Sequence, residues 1–192
     1  MRISLRPVLL GLILLVAVVG LVQVVPATNS QPNATSGASD GQCTSEHPGV
    51  SVVVDFGIEA DQAPVVKCAS GFNVASSSVS NQLSGWQLFA AAGLKVEGTS
   101  EYPVGFACRI EGYPAPADQP CTSTPTYAQG HWAYFYAAAG DTKWHFSGAG
   151  SADRKPNCGD VEGWLFVKGE TTNGTSAAAA PNFEPKAFRC AP

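Results

Sequence analysis

Asp160 and Glu162 are the residues in this sequence best suited to chemistry by type and spacing. Two positions apart on an extended chain, they share one face of a strand. A carboxylate pair flanking one bond is what a hydrolase of glycosides needs, one group acting as acid and the other as base or nucleophile. The plainer expectation is that both decorate the solvent side of a strand. His131 and His145 come next. They fall on neighbouring aromatic runs and, facing each other across a hairpin, would form a pH-sensitive pair. A polar rim is again the plainer expectation.

Other catalytic patterns are missing. The sequence has no H-E-x-x-H, no C-x-x-C and no glycine-rich phosphate loop. Gly37-Ala38-Ser39-Asp40-Gly41 spells a nucleophile elbow. That motif needs a strand before it and a helix after it, and here it lies in a polar, unpatterned stretch. None of the three histidines has ligand-like spacing to a cysteine, so no metal and no cofactor are expected. The chain does not read as an enzyme.

Trp132, Tyr134 and Trp144 offer a different chemistry, stacking on a ligand. Alternation puts Trp132, Tyr134 and Tyr136 on one side of a strand and His131, Ala133 and Phe135 on the other. Most of these rings are expected to be core, because aromatic side chains are usually well buried. The sharper expectation is that Trp132, Tyr134 or Trp144 lies exposed as a ligand-binding surface.

The elements that must position these residues follow from hydrophobic patterning. Gly49–Phe56 reads as a β-branched strand, 65–68 as its return, and 131–136 with 144–146 as an aromatic hairpin turning at 137–141. Val161–Val167 reads as a closing strand, and Val104–Ile110 as another, turned by Glu111-Gly112-Tyr113-Pro114. Residues 80–94 predict one helix with an apolar stripe of Leu83, Trp86 and Ala90, with Phe89 beside it and Leu88 off it. Ser80 or Ser84 is suited to cap it, and Gly93 to end it. Residues 70–80 and the proline-rich 114–130 read as loops.

The flanks point outside the cell. Residues 1–27 carry Arg2 and Arg6, an apolar run from Val8 to Val25, and small residues suited to cleavage after Ala27. The run is long enough that an uncleaved membrane anchor is the alternative to a signal peptide. Residues 28–42 read as a flexible tether. Only 14% of residues are charged, against a usual share of about a quarter. Without Arg2 and Arg6 the formal charge moves from −4 to −6, which excludes nucleic acid as a partner. Six cysteines in an exported chain read as three disulfides. Cys108–Cys121 closes a short loop, and Cys43–Cys68 with Cys158–Cys190 completes a sequential set, though other pairings stay open. Asn33-Ala34-Thr35 and Asn173-Gly174-Thr175 match the glycosylation acceptor pattern.

Five pieces together resemble a known domain: GVSVVVDFG (49–57), GWQLFAAAGL (85–94), GFACRIEGYP (105–114), HWAYFY (131–136) and CGDVEGWLF (158–166). Residues 43–168 are similar to the small domain at the C-terminus of transcobalamin and intrinsic factor, also found in exported actinobacterial proteins. The resemblance implies an α+β, β-grasp-like domain, a mixed sheet of five or six strands with one packed helix; the 169–192 tail reads separately as a polar, Ala-rich segment tied back by Cys190. It implies a non-enzymatic binding module, secreted or on the outer membrane face. Its ligand would be a small molecule such as a corrinoid, or its partner a membrane transporter component of an uptake system. The alternative is a structural or protein-interaction domain with no small ligand, working through a loop such as 114–130. The large helical domain of the transcobalamins is missing from this chain, and no ligand-binding residue carries over.

Overall fold

The computed structural model describes residues 37–70, 82–169 and 180–190, all within the compact unit Ala34–Pro192. The expected signal segment, both Asn-x-Thr sites and nearly all of the 70–80 loop lie outside these residues.

Two strands rich in β-branched and aromatic residues set the centre of the sheet. β2 (Gly49–Asp55) is buried along its whole length, as a strand covered on both faces must be. It pairs parallel with β8 (Val161–Val167), Val53 opposite Gly163. β3 (Val65–Ser70) returns antiparallel on one flank, and β6 (His131–Ala137) lies antiparallel on the other side of β8. β1 (Ala38–Asp40) and β7 (His145–Phe146) are short edge strands, giving the six-stranded mixed order β1-β3-β2-β8-β6-β7. β4 (Val96–Glu97) and β5 (Arg109–Ile110) form a separate two-stranded ribbon.

Three local expectations are corrected. Residues 38–40, assigned to the tether, form an edge strand that adds to β3, backed by Ser70 N–H donating to Gly37 O at 3.1 Å. The 104–110 run does not form one strand, because Gly105 has φ +92 and turns the chain, so only Arg109 and Ile110 pair. The helix α1 is a short one, Gln87–Ala91. Its buried side is Leu88, Phe89 and Ala92, while Ala90 faces solvent. The Leu83–Trp86–Ala90 stripe needs a helix that starts before Trp86, and this one starts after it.

Of the expected ends of α1, the Gly93 terminus forms, whereas the N-cap is Trp86, which makes no side-chain cap bond. Ser84 and Gln87 exchange side-chain-to-backbone bonds across the turn that leads into the helix, Gln87 N–H donating to Ser84 Oγ and Ser84 N–H to Gln87 Oε1. Gly93, at φ +70, closes the C-terminus, with Leu94 N–H donating to Phe89 O at 2.8 Å.

Leu88 and Phe89 pack on one sheet face against Val52, Val54, Trp132, Tyr134, Trp164 and Phe166. The opposite face, with Val53, Ala137 and Val161, is covered by Trp144, Phe183 and Ala187. The C-terminal segment 180–190 is thus a strap across the back of the sheet. It is held by Asn182 N–H donating to Asp55 Oδ2, Trp144 Nε1–H donating to Phe183 O at 2.7 Å, and Phe188 N–H donating to Gly159 O. Three disulfides staple the domain: Cys43–Cys68, Cys108–Cys121 and Cys158–Cys190. Each contributes about 2–4 kcal/mol, and their number fits an oxidising compartment.

Candidate functional site

The three aromatic ligand candidates are not brought together. Trp132 and Tyr134 point into the helix-side core, each only 7% exposed. Trp132 meets Phe56 and Phe166 edge-on, and Tyr134 stacks on Trp164 with centroids 4.4 Å apart. Trp144 lies on the other face, beneath the strap and over Gly163, where an added Cβ would come within 2.6 Å of its ring. The sheet therefore separates Trp144 from the other two.

The carboxylate pair is buried rather than solvent-facing, contrary to the plainer expectation. Asp160 is 2% exposed and Glu162 fully buried. Glu162 stands in phase with Trp164 and Phe166, so it points into the aromatic face. One cation serves both carboxylates: Arg154 donates from Nε to Glu162 at 3.0 and 3.2 Å and from Nη2 to Asp160 Oδ2 at 3.3 Å. Its guanidinium also lies over the Tyr136 ring, 3.9 Å from the centroid. The Tyr134 hydroxyl donates to Glu162 Oε2. Asp160 accepts from the backbone N–H of Ala139 and of Asn157, both at 2.9 Å.

Burial governs the protonation of this cluster. It raises Glu162 to about 7, against the opposing pull of Arg154 and the Tyr134 hydroxyl. It raises Asp160 too, against its backbone donors and Arg154, and raises the Tyr134 phenol, which also faces Glu162. Chemically this is a buried ion cluster in which burial makes both carboxyls hold a proton more readily than in water.

The histidines do not pair. His145 sits opposite Tyr136, stacks on it, and bonds Asp141 at 3.1 Å. His131 sits opposite Val167 and contacts Tyr127, and burial lowers its imidazole below the ordinary range. Among the described residues, no group of three or more His, Cys, Asp or Glu is placed to hold a metal ion.

The described surface with the most construction behind it is a pair of loops, 98–106 and 111–121, carried by the β4–β5 ribbon. Glu111 and Gly112 both have positive φ, so the chain reverses in two residues and Ile110 pairs with Tyr113. The second loop then wraps around Arg109, which is 7% exposed. Arg109 donates from Nε to Pro114 O at 2.7 Å, from Nη2 to Gln119 O, and from Nη1 to Glu97. Gln119 is buried too and donates to Cys108 O. The Cys108–Cys121 disulfide closes the ring.

The first loop is pinned to the second. Ser100 N–H donates to Cys121 O at 2.9 Å. Buried Thr99 accepts from Tyr102 N–H at its hydroxyl, and its own N–H donates to Tyr102 O. This rigid turn presents Glu101-Tyr102-Pro103-Val104 to solvent, with Tyr102 50% and Val104 61% exposed. Beside it, Ala115, Pro116, Ala117, Asp118 and Pro120 are also exposed. Sequence reasoning named the 114–130 loop but missed 98–106. The available signal was Arg109, a lone cation between Cys108 and Ile110, next to a proline-rich loop whose prolines supply no N–H donors.

A separate recess of about 50 Å³ is lined by Phe56, Gly57, Ile58, Glu59, Phe166 and Lys168. Sites for drug-sized ligands run to roughly 300–1,000 Å³.

No family model matches this chain, and no curated protein or solved structure matches it either.

Proposed function

We propose that this chain is an exported, non-enzymatic interaction domain that binds a partner protein through the double loop 98–121, with Tyr102 and Val104 as its apolar anchors. The observation that carries the reading is the burial of Arg109 inside the second loop. A guanidinium taken out of water, with its donors spent on two loop carbonyls and Glu97, fixes the second loop, to which Ser100 N–H donating to Cys121 O pins the loop that exposes Tyr102 and Val104. Pre-organisation of that kind lowers the entropy lost on binding.

The choice between the two expected functions turns on the aromatics. Trp132 and Tyr134 are committed to the core and Trp144 to the strap, which supports the interaction domain over a small-ligand platform. A corrinoid would need another surface. The sealing of Asp160 and Glu162 away from solvent supports a non-enzymatic reading. The likeness to the transcobalamin C-terminal domain is retained only as a resemblance of the sequence, and a β-grasp-like fold as a proposal. The β-grasp reading is supported by the order β3-β2-β8-β6, whose central pair is parallel and whose first face carries the helix.

The test is a Tyr102→Ser/Val104→Ser variant produced by cells that export the chain. It should be released oxidised, with an unchanged melting temperature, and lose its association with the cell-surface fraction. Association equal to that of the parent chain would sink the reading.

A further inference from the structure

Two buried carboxylates face one guanidinium, so the Arg154 cluster balances its charge only when it also holds one proton. Asp160 has two backbone donors and Arg154 Nη2 to stabilise its charge, while Glu162 has Arg154 Nε and the Tyr134 hydroxyl. The proton therefore belongs on Glu162. The titratable and charged groups facing Glu162 are Tyr134 and Tyr136 from β6, Asp160 beside β8, and Arg154 from the 147–158 segment. Asp141 and His145, bonded to each other, lie behind Tyr136 and Asp160. β2 contributes Val52 opposite Glu162, and the approach to α1 contributes Gly85 against the Tyr134 hydroxyl, neither of them titratable.

The turn that carries Arg154 holds two other parts of the molecule. Arg154 O accepts from Gly85 N–H at 3.0 Å and Ser151 O from Trp86 N–H at 2.9 Å, which seats the entry to α1. The Ser151 hydroxyl donates to Gly105 O at 3.0 Å, and Ala152 packs so closely on Gly105 that an added Cβ would lie 3.0 Å from its own. Gly105 follows Val104 directly. One turn thus joins the buried cluster to the exposed loop.

We propose that the Arg154–Asp160–Glu162 cluster is a one-proton switch on the 98–106 loop. With the proton on Glu162, the 150–154 turn stays seated and holds Gly105. Loss of the proton favours an opened turn that lets water reach the second carboxylate and frees Gly105. The direction follows from linkage. Seated, Glu162 holds its proton up to about 7, whereas a hydrated Glu162 has its ordinary value of 4.5. Opening therefore becomes easier as pH rises between those values and is level outside them. This makes the cluster a regulator of the binding loop and, in that respect only, rests on the interaction reading above.

The experiment is amide hydrogen exchange by mass spectrometry on the oxidised full chain between pH 5 and pH 8, corrected for intrinsic rates. Protection of peptides covering 82–89 and 98–106 should fall by about tenfold or more across that range. In Glu162→Gln it should stay level. Tyr134→Phe removes a hydrogen bond to the charged form and should move the midpoint to higher pH. The same pH dependence in Glu162→Gln would overturn the proposal. So would a response in 82–89 with none in 98–106. If both peptides respond as expected while the Tyr102→Ser/Val104→Ser variant keeps its surface association, the switch stands and the interaction reading fails.

Discussion

Replacing Arg109 by Met tests whether the double loop is braced from within. Met keeps most of the apolar stem and removes every donor. The carbonyls of Pro114 and Gln119 lose their donors, at 2.7 and 2.5 Å, and both residues are buried. An unsatisfied buried acceptor costs about 1–3 kcal/mol, so a loop unable to relax would lose roughly 2–6 kcal/mol. The Glu97 partner is half-exposed, so that ion pair adds about 1 kcal/mol or less. The loop lies at the surface, and rotation of either peptide toward water recovers part of the loss. The net expectation is about 2 kcal/mol, or a melting temperature lowered by roughly 4–8 °C at 2–4 °C per kcal/mol for a domain of this size. Limited proteolysis should cut the variant within 111–121 while the disulfide holds the ends. Arg109→Lys should behave nearly as badly, because one ammonium cannot reach three acceptors spread around a planar fork. A melting temperature within about 1 °C of the parent, with unchanged proteolysis, would refute the brace.

Four other outcomes follow from the same geometry. Glu162 has a folded-state pKa above its unfolded value, so its contribution is fully present below about 4.5 and is lost as pH rises through about 7. Urea unfolding should show a loss of about 3 kcal/mol between those limits, removed in Glu162→Gln. The depressed His131 opposes this, since its term favours the fold as pH rises, so the difference between the two proteins is the quantity to read. Gly85→Ala places a methyl 2.1 Å from the Tyr134 oxygen, and the ring is held by its stack on Trp164. Calorimetry should show a loss of about 1–3 kcal/mol. Trp132→Ala should cost about 3–5 kcal/mol in the same assay, as a core residue rather than a platform. Tryptophan fluorescence of the oxidised chain should show no saturable change with cobalamin or cobinamide after inner-filter correction.

The strands were legible because their patterns are local. Val50 to Val54 and the Trp132–Tyr134–Tyr136 alternation specify strands and their faces without reference to the rest of the chain. The same alternation held the key to Glu162. Positions 162, 164 and 166 of β8 share one parity, so burying Trp164 and Phe166 buries Glu162 with them, while Asp160 is buried by the turn before the strand. Reading Asp160 and Glu162 as solvent-facing overlooked that constraint, because a charged residue in a core is unusual unless paired. The pairing partner, Arg154, sits in a loop whose position no periodicity reports.

Partition between faces was the other blind spot. Trp144 belongs to the back of the sheet because the strap covers it, and the strap has no pattern beyond Cys190. The 98–106 loop was hidden in an apparent strand, since Val104, Phe106 and Ile110 alternate well enough and only the φ of Gly105 breaks the run. The short loop pointed to Cys108–Cys121, whereas the other two pairs, though sequential as expected, were left open because chain order alone does not fix connectivity.

The proposed partner contact runs through Tyr102 and Val104. A photo-crosslinking residue is placed at position 102, and separately at Ile58, which is fully exposed and outside both loops, in chains exported by intact cells. One discrete adduct is expected from position 102, absent from position 58 and lost when Val104→Ser is added. Equal adducts from both positions, or an adduct from position 58 alone, would contradict it.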